Sequence, residues 1–292
     1  MAPRNQMGRF QQLLLILFVH LVAPSIAIPA NVELDLIFPR ANRTYKPVWP
    51  FPVVFGIRNV SQLWYNDQDV LEFLFSWNLY GYNDTATRNI GQSLRGTQFG
   101  SAWWDTFKQQ REIGRPSDGL FLHVYVARRD MVNATERHFR LTYATELRRT
   151  CTRNYDLNYN PKTVFSEDFI DFSTDPDAAE FPDILSGGPC PTYATNFEVA
   201  DSRRDLTGMV CPVMAPEVPS PNPCGLKVDE TIAARAKEEI LEMAGCPNGT
   251  WPDPEGKLSR FFCNANQGTA QTAVYPVMMA FLSAIAMLWA IV

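Results

Sequence analysis

The densest group of chemically active side chains in the sequence is a run of acids. Seven carboxylates occur without an intervening Lys or Arg, at Glu167, Asp168, Asp171, Asp175, Asp177, Glu180 and Asp183. A glycosidase needs two carboxylates at a set separation, and Ca²⁺ prefers oxygen ligands. The run lacks the spacing of an EF-hand loop, and acidic runs are commonly solvated. We therefore expect a solvated surface segment here, with a glycosidase and a calcium site as the two alternatives.

Histidines and nucleophile motifs give little support for catalysis. His123 and His138 lie on consecutive predicted strands, and pairing of those strands as a hairpin would place both imidazoles on one face. A metal site needs at least a third ligand. The sequence has no G-x-S-x-G motif and no Walker or Rossmann glycine loop. We expect no catalytic residue, metal or cofactor, and interpret the protein as non-enzymatic.

Tryptophans are the better candidates for binding. Trp103 and Trp104 stand side by side in segment 89–115, which interrupts the strand pattern and which we predict to be a long connection with a helical turn. Three further tryptophans are also predicted in loops, at Trp49, Trp64 and Trp251. Loop aromatics form flat surfaces on which sugar rings stack, although most Trp side chains are largely buried. Trp103 and Trp104 are thus the predicted ligand-binding residues.

Both ends of the chain resemble targeting segments. Residues 1–27 combine Arg4 and Arg9 with a short apolar stretch and a small-x-small cleavage sequence, as in a signal peptide. Residues 264–292 combine small residues, a polar spacer and an uncharged apolar tail, as in a GPI-attachment signal with Asn264 as the attachment residue. The alternative is a retained C-terminal membrane helix, because the tail just spans a bilayer. We expect an extracellular protein attached to the membrane at its C terminus.

Cysteines and glycosylation sequons agree with a secretory route. The six cysteines predict three disulfides in an oxidising compartment, with the pairing left open, among Cys151, Cys190, Cys211, Cys224, Cys246 and Cys263. Their spacing does not fit a zinc site. Five sequons in turn-like segments predict N-glycans at Asn42, Asn59, Asn83, Asn133 and Asn248.

Alternating apolar residues predict a mainly β fold. Seven segments have the period of two that is typical of half-buried strands, at 32–38, 53–58, 71–79, 119–127, 136–147, 164–172 and 192–200. Such a set of strands favours an antiparallel immunoglobulin-like β-sandwich over residues 28–211, with Trp77 in its core. The usual disulfide between the sheets cannot form, because no cysteine precedes Cys151. Segment 128–135 is predicted to be a hairpin loop.

The chain changes character after the sandwich. Five prolines between residues 212 and 223 predict an extended connector. A disulfide between the flanking Cys211 and Cys224, one of the open pairings, could close it into a loop. Residues 224–263 are predicted to be a disulfide-stapled helical segment whose helix covers Asp229–Ala244 and is capped by its first residue. The predicted buried stripe of this helix contains Ile232, Ala236, Ile240 and Met243.

The opening of the sandwich carries a family resemblance. The stretch Val32–Tyr45, with the sequence VELDLIFPRANRTY, and the following Phe51–Phe55 resemble a family of secreted proteins of filamentous fungi. The likeness continues through Trp77, the central strands and the late Cys-helix-Cys segment. That family is classed only as a domain of unknown function. The resemblance implies a fungal cell-surface protein and supplies no catalytic residue.

Composition and charge limit the remaining function classes. The chain has 292 residues, 46% of them hydrophobic, and a net charge of −5 without a basic stripe. Globular composition excludes wholesale disorder, and the acidic balance argues against nucleic-acid binding. We interpret the protein as a cell-surface glycoprotein with a structural, adhesive or carbohydrate-binding role at the fungal wall. The alternatives are a secreted hydrolase of wall polysaccharide and a single-pass membrane protein with an extracellular sandwich.

Overall fold

The protein is built mainly of β-strands. A computed structural model describes residues 30–59, 64–65, 69–70, 73–83, 96–105, 119–150, 162–204 and 210–253. In these residues the elements are β1 Ala30–Phe38, β2 Thr44–Tyr45, β3 Pro52–Arg58, β4 Trp64–Tyr65, β5 Asp69–Val70, β6 Phe73–Tyr82, β7 Thr97–Asp105, β8 Leu120–Val126, β9 His138–Thr150, β10 Lys162–Thr174, β11 Thr192–Arg204, β12 Val210–Met214, and the helix α1 Glu230–Met243. All seven predicted strands are confirmed, as β1, β3, β6, β8, β9, β10 and β11.

The strands form two five-stranded sheets. The first sheet has the order β12-β11-β1-β3-β8 and is antiparallel throughout. The second has the order β2-β10-β9-β6-β7, in which only the short β2 runs parallel to its neighbour β10. Strands β4 and β5 pair separately as a two-stranded ribbon.

Aromatic side chains from both sheets interlock to form the core. The ring of Phe55 on β3 lies 4.7 Å from Phe75 on β6 and 5.7 Å from Tyr143 on β9. Trp77 is 1% exposed and packs edge-on against Tyr125 of β8, which confirms its predicted place in the core. The two sheets therefore pack face to face, and period-two alternation leaves each of them with a second, outward face.

The prediction of a hairpin between β8 and β9 is wrong. Strand β8 pairs with β3 in the first sheet, whereas β9 pairs with β6 and β10 in the second. Residues 127–137 therefore cross from one sheet to the other. The crossing lets the inward aromatics of both strands bury against each other, which a flat hairpin would not allow.

The prediction of a loop at segment 89–115 is also wrong in its centre, which forms β7. Phe99 is the large buried side chain of the strand, and Gly100 lies against the ring of Trp77, where an added Cβ would come within 3.1 Å. A register shift opposite Leu79 and Tyr80 interrupts the pairing with β6. These features remove the regular alternation by which a strand is identified. Residues 84–95 and 106–118 lie outside the described residues.

The residues after β12 cover the outward face of the first sheet. The predicted connector 212–223 begins within β12, and residues 215–228, which we call the strap, continue across β11, β1 and β3. A disulfide joins Cys224 to Cys190, which settles one pairing that the sequence leaves open. Cys190 lies in the turn before β11, so this bond pins the strap to the sandwich.

Helix α1 follows the strap and packs against β8. Its N-cap is confirmed, since the Asp229 carboxylate accepts hydrogen bonds from two backbone N–H groups. The predicted buried stripe is shifted, because the buried residues are Ala233, Ala236, Ile240 and Leu241. Met243 is instead 47% exposed. Small Ala residues face the sheet. A pattern based on large apolar side chains therefore predicts a buried face that is rotated from the observed one.

The targeting segments cannot be compared with the structure. Residues 1–27 and 264–292, with the predicted attachment residue Asn264, lie outside the described residues, as do Cys151 and Cys263. In the part of the chain that is described, no helix is long and apolar enough to cross a membrane.

Candidate functional site: the outward face of the second sheet

The outward face of the second sheet is open to solvent in the described part of the chain. Cross-strand register aligns Trp103 with Ser76, Ala144 and Glu167 in one row. The next row contains Ser101, Asn78, Thr142 and Phe169. Trp103 is 59% exposed and Phe169 is 43% exposed. The face is therefore a shallow floor of short side chains with an aromatic ring on the strand at each side.

The two aromatic residues are well separated. Three interstrand spacings of about 4.8 Å lie between β7 and β10, so the backbones at Trp103 and Phe169 are about 14 Å apart across the sheet, with an offset of about 7 Å along the strands because they lie in adjacent rows. Between them, short polar groups of Ser76, Asn78 and Thr142 are half-buried. An extended ligand could contact both rings and reach hydrogen-bonding groups on the floor.

Phe169 is held from one side by a charged pair. The Arg140 guanidinium lies 4.0 Å from the centre of the Phe169 ring. It also donates two hydrogen bonds to Asp171, of 2.7 and 2.8 Å, one to each carboxylate oxygen. Hydrogen bonding to Asp171 raises the pKa of Arg140 above its ordinary value. The pair orients Phe169 and neutralises its own charge, which leaves the ring as the chemically accessible part of this region.

The predicted pair Trp103 and Trp104 lies on β7, not in a loop. Trp103 is opposite Ser76 and Trp104 is opposite Phe75, whose ring points into the core. The side chain of Trp104 lies outside the described residues. Successive residues of a strand face opposite sides of the sheet, so the two positions do not provide one flat surface. Across the open face, the aromatic counterpart of Trp103 is Phe169.

Two of the three other tryptophans predicted in loops are buried. Trp49 is 7% exposed and Trp251 is 4% exposed, and the Trp251 indole N–H donates a 2.8 Å hydrogen bond to the carbonyl of Pro50. Trp64 lies in β4, with its side chain outside the described residues. Among the tryptophans whose side chains are described, Trp103 is the exposed one.

The predicted glycosylation asparagines avoid the open face. Asn42, Asn59, Asn83, Asn133 and Asn248 are all exposed and lie in turns or at strand ends. Asn42 and Asn59 have positive φ angles of 59° and 57°, a conformation that Asn adopts more readily than most residues. Each of the five follows the end of an element, namely β1, β3, β6, β8 or α1. A glycan at any of them would stand beside the face and would not occupy its floor.

The acidic run predicted from the sequence is dispersed along β10 and the turns that follow. Glu167 and Asp168 are exposed, whereas Asp171 is paired with Arg140. Glu180 lies 3.5 Å from Arg43, and the Asp183 carboxylate accepts the Leu185 N–H. In the described residues, no group of three or more His, Cys, Asp or Glu side chains could hold a metal ion.

The two histidines are separated by the sandwich. His123 on β8 is buried between Phe75 and Tyr125, with ring-centre distances of 5.4 and 5.0 Å, and its Nε2 has no hydrogen-bond partner. Burial lowers the pKa of His123 to about 3. His138 instead stacks on Tyr82 in the second sheet. They do not share one face, so the juxtaposition that a hairpin would have given does not occur.

A second charged group lies beneath the strap. Glu33 and Asp35 on β1 are 2% and 0% exposed, and both pair with Arg58 on β3, at 2.6 and 3.1 Å. Burial, opposed by Arg58 and reinforced by Glu33, raises the pKa of Asp35 to about 7. Sequence reasoning missed this group, because polar residues in alternation with apolar ones indicate exposure unless a later segment covers them.

The cysteines agree with an oxidised protein as far as they are described. Cys190 is bonded to Cys224, and Cys246 is also disulfide-bonded. Cys211 lies in β12, with its side chain outside the described residues. One disulfide thus ties the strap to the sandwich, and a second involves Cys246, just after α1.

The described residues place the protein in a structural class. It is a mainly β protein of two facing sheets, one covered by a disulfide-pinned strap and helix and the other open. The chain belongs to the family of a domain of unknown function, DUF7136, whose match covers residues 27–254. The match extends from the first strand to just after Trp251, so it includes both sheets, the strap and α1. No curated protein matches the chain.

Proposed function

We propose that the protein is an extracellular, membrane-attached glycoprotein that binds polysaccharide of the fungal wall through the outward face of the second sheet. The observation that carries this proposal is the pair of exposed rings, Trp103 and Phe169, on either side of a floor of short polar side chains. Sugar rings present C–H faces that pack on aromatic rings and hydroxyls that reach short polar groups.

The charges of the face favour an uncharged ligand. Arg140 and Asp171 neutralise each other through two hydrogen bonds, so neither is available to a charged group without breaking their pair. The aromatic ring in front of them remains exposed. With the exposed Glu167 carboxylate in the row of Trp103, this arrangement suits a neutral, hydroxylated polymer better than a phosphate.

The topology supports the finer proposal of an immunoglobulin-like fold. The order β1-β3-β8 corresponds to strands A-B-E of that fold, and β10-β9-β6-β7 corresponds to G-F-C-C′. Trp77 on β6 then occupies the place of the buried Trp on strand C. Strands β11 and β12 extend the first sheet beyond β1.

The proposed location rests on the two targeting segments and on the exposed sequons. Exposure of all five sequon asparagines is what glycosylation requires, and disulfides form in the same compartment. A mass spectrum of the mature protein distinguishes the proposed GPI anchor at Asn264 from a retained C-terminal helix. It also gives the number of glycans.

The binding proposal is tested by depletion of the purified protein from solution by insoluble chitin, β-glucan and mannan. We expect one of the three to retain the protein, and Trp103→Ala or Phe169→Ala to raise Kd about tenfold, which corresponds to about 1.4 kcal/mol. Met243→Ala on α1 is the matched control, since Met243 is a large exposed apolar residue away from the face. Equal retention of all four proteins would overturn the assignment of the face.

The second candidate is a hydrolase of wall polysaccharide. The observation in its favour is that Glu33 and Asp35 lie two residues apart on one face of β1, and that burial raises the pKa of Asp35 to about 7, as environment raises the pKa of the general acid in a glycosidase. Both are covered by the strap. The depletion assay can also measure the release of reducing sugar. Release by the wild type and by Trp103→Ala, but not by Glu33→Gln, would favour this candidate.

A further inference from the structure

We propose that the strap and the charges beneath it form a proton-linked latch on the first sheet. With Asp35 protonated, the strap is held closed across β1 and β3. Ionisation of Asp35 loosens the strap, and the Cys190–Cys224 disulfide keeps it tethered.

The strap is held through both backbone groups of one residue. The Asn222 N–H donates a 2.9 Å hydrogen bond to Glu33, and the Asn222 carbonyl accepts a 2.6 Å hydrogen bond from Arg58. Glu33 and Arg58 are themselves 2.6 Å apart. The attachment of the strap therefore depends on how the hydrogen bonds of Arg58 are divided between the carboxylates of β1 and the Asn222 carbonyl.

Asp35 competes for that same guanidinium. Its Oδ2 accepts a 3.1 Å hydrogen bond from Arg58, while its Oδ1 is buried without a partner. Two buried carboxylates thus share one cation. When both are ionised, the group holds one negative charge more than Arg58 can balance, and burying such a charge is unfavourable.

A second cation acts on Asp35 from a distance. The buried Arg40 donates a hydrogen bond to the Cys190 carbonyl, and its positive charge, like that of Arg58, lowers the pKa of Asp35 against the larger effect of burial. Tyr193, the cross-strand neighbour on β11, hydrogen-bonds to Asn196. The charged residues of the strap, Glu217 and Lys227, are exposed. None of these groups gives Oδ1 of Asp35 a hydrogen bond, so protonation of Asp35 is what relieves the cost of burying this side chain.

The direction of the switch follows from the burial of Asp35 and from its competition for Arg58. Below neutral pH, Asp35 is neutral, and Arg58 pairs with Glu33 and donates a hydrogen bond to the Asn222 carbonyl. As pH rises through about 7, the ionised Asp35 draws Arg58 toward β1 and weakens its bond to the Asn222 carbonyl. The strap residue Leu226, which packs on Gly56, then leaves the sheet more often.

Hydrogen exchange of the full chain tests the latch. We expect the protection of the Asn222, Leu226 and Val228 amides, corrected for intrinsic exchange, to fall at least tenfold from pH 5 to pH 8, with the amides of β9 unchanged. Asp35→Asn, which mimics the protonated side chain, should keep high protection at both values. Glu217→Gln in the strap is the matched control and should behave like the wild type.

Two results would overturn the latch. One is equal strap protection at pH 5 and pH 8, and the other is an unchanged pH dependence in Asp35→Asn. A carboxyl titration of the wild type by ¹³C NMR needs no variant to fold. Titration of Asp35 near its ordinary value of 3.8 would contradict the proposal, and titration near 7 would support it.

Discussion

The outward faces of the two sheets carry the same kind of ion pair in different surroundings. On the first sheet, Arg58 meets Glu33 and Asp35 beneath the strap, where both carboxylates are nearly inaccessible. On the second, Arg140 meets Asp171, whose side chain is 18% exposed, beside an open aromatic ring. Covering a pair removes the water that would solvate its charges. The first pair therefore contributes to the stability of the fold, whereas the second can support a ligand.

The largest expected effect compares the two arginines directly. Arg58→Met leaves Glu33 and Asp35 buried without a cation, and we expect a loss of about 3–5 kcal/mol in the free energy of unfolding. Arg140→Met leaves one carboxylate that water can reach, and should cost about 1–2 kcal/mol. Urea denaturation at pH 7 measures both. Equal losses would show that the strap does not set the cost of the charges beneath it.

Two buried groups give opposite pH dependence. Folding lowers the pKa of His123 from 6.5 to about 3, so stability is present above pH 6.5 and is lost as pH falls toward 3. Folding raises the pKa of Asp35 from 3.8 to about 7, so stability is present below pH 3.8 and is lost as pH rises toward 7. Between pH 3.8 and 6.5 the two slopes oppose each other.

His123→Phe separates these contributions. The free energy of unfolding of the variant, relative to the wild type, should increase by up to about 1.4 kcal/mol per pH unit as pH falls from 6.5 to 3. Denaturation of both proteins across this range measures the difference. A difference that does not change with pH would mean that His123 is charged or solvated in the folded protein.

The next comparison enlarges one side chain on the outward face of each sheet. A Cβ at Gly56 would lie 2.5 Å from the Leu226 side chain, so Gly56→Val should push against the strap and cost about 1–3 kcal/mol. Ser76→Val adds a similar side chain to the open face and should change stability by less than about 0.5 kcal/mol. Thermal or urea unfolding checks both, and a costly Ser76→Val would contradict the open face.

Period-two patterning predicted the strands because most of them bury one face only. In β6 and β9, apolar and polar residues alternate as expected. The same rule could have identified Phe169, since Ile170 and Phe172 define the apolar phase of β10 and Phe169 falls on the polar one. An aromatic residue on the polar phase of a strand is a sign of an exposed ring.

The covered charges could not be predicted in this way. Glu33 and Asp35 occupy the polar phase of β1, which a local rule assigns to solvent. Their burial depends on a strap almost two hundred residues later in the chain, fixed there by Asn222 and the Cys190–Cys224 disulfide. Strand β7 was missed for another reason, since Gly100 and the register shift remove its local pattern.

The smallest expected effect concerns the open face itself. Phe169→Ala removes a ring that is 43% exposed and touches Arg140, so we expect a loss of about 0.5–1 kcal/mol, the size of an exposed cation–π contact. Phe172→Ala on the same strand is the matched control, because that ring is 3% exposed and its removal should cost about 3–5 kcal/mol. Urea denaturation of both variants at one pH gives the ratio. Similar losses would mean that Phe169 is packed like Phe172, and the second sheet would then have no open aromatic face with which to bind a polysaccharide.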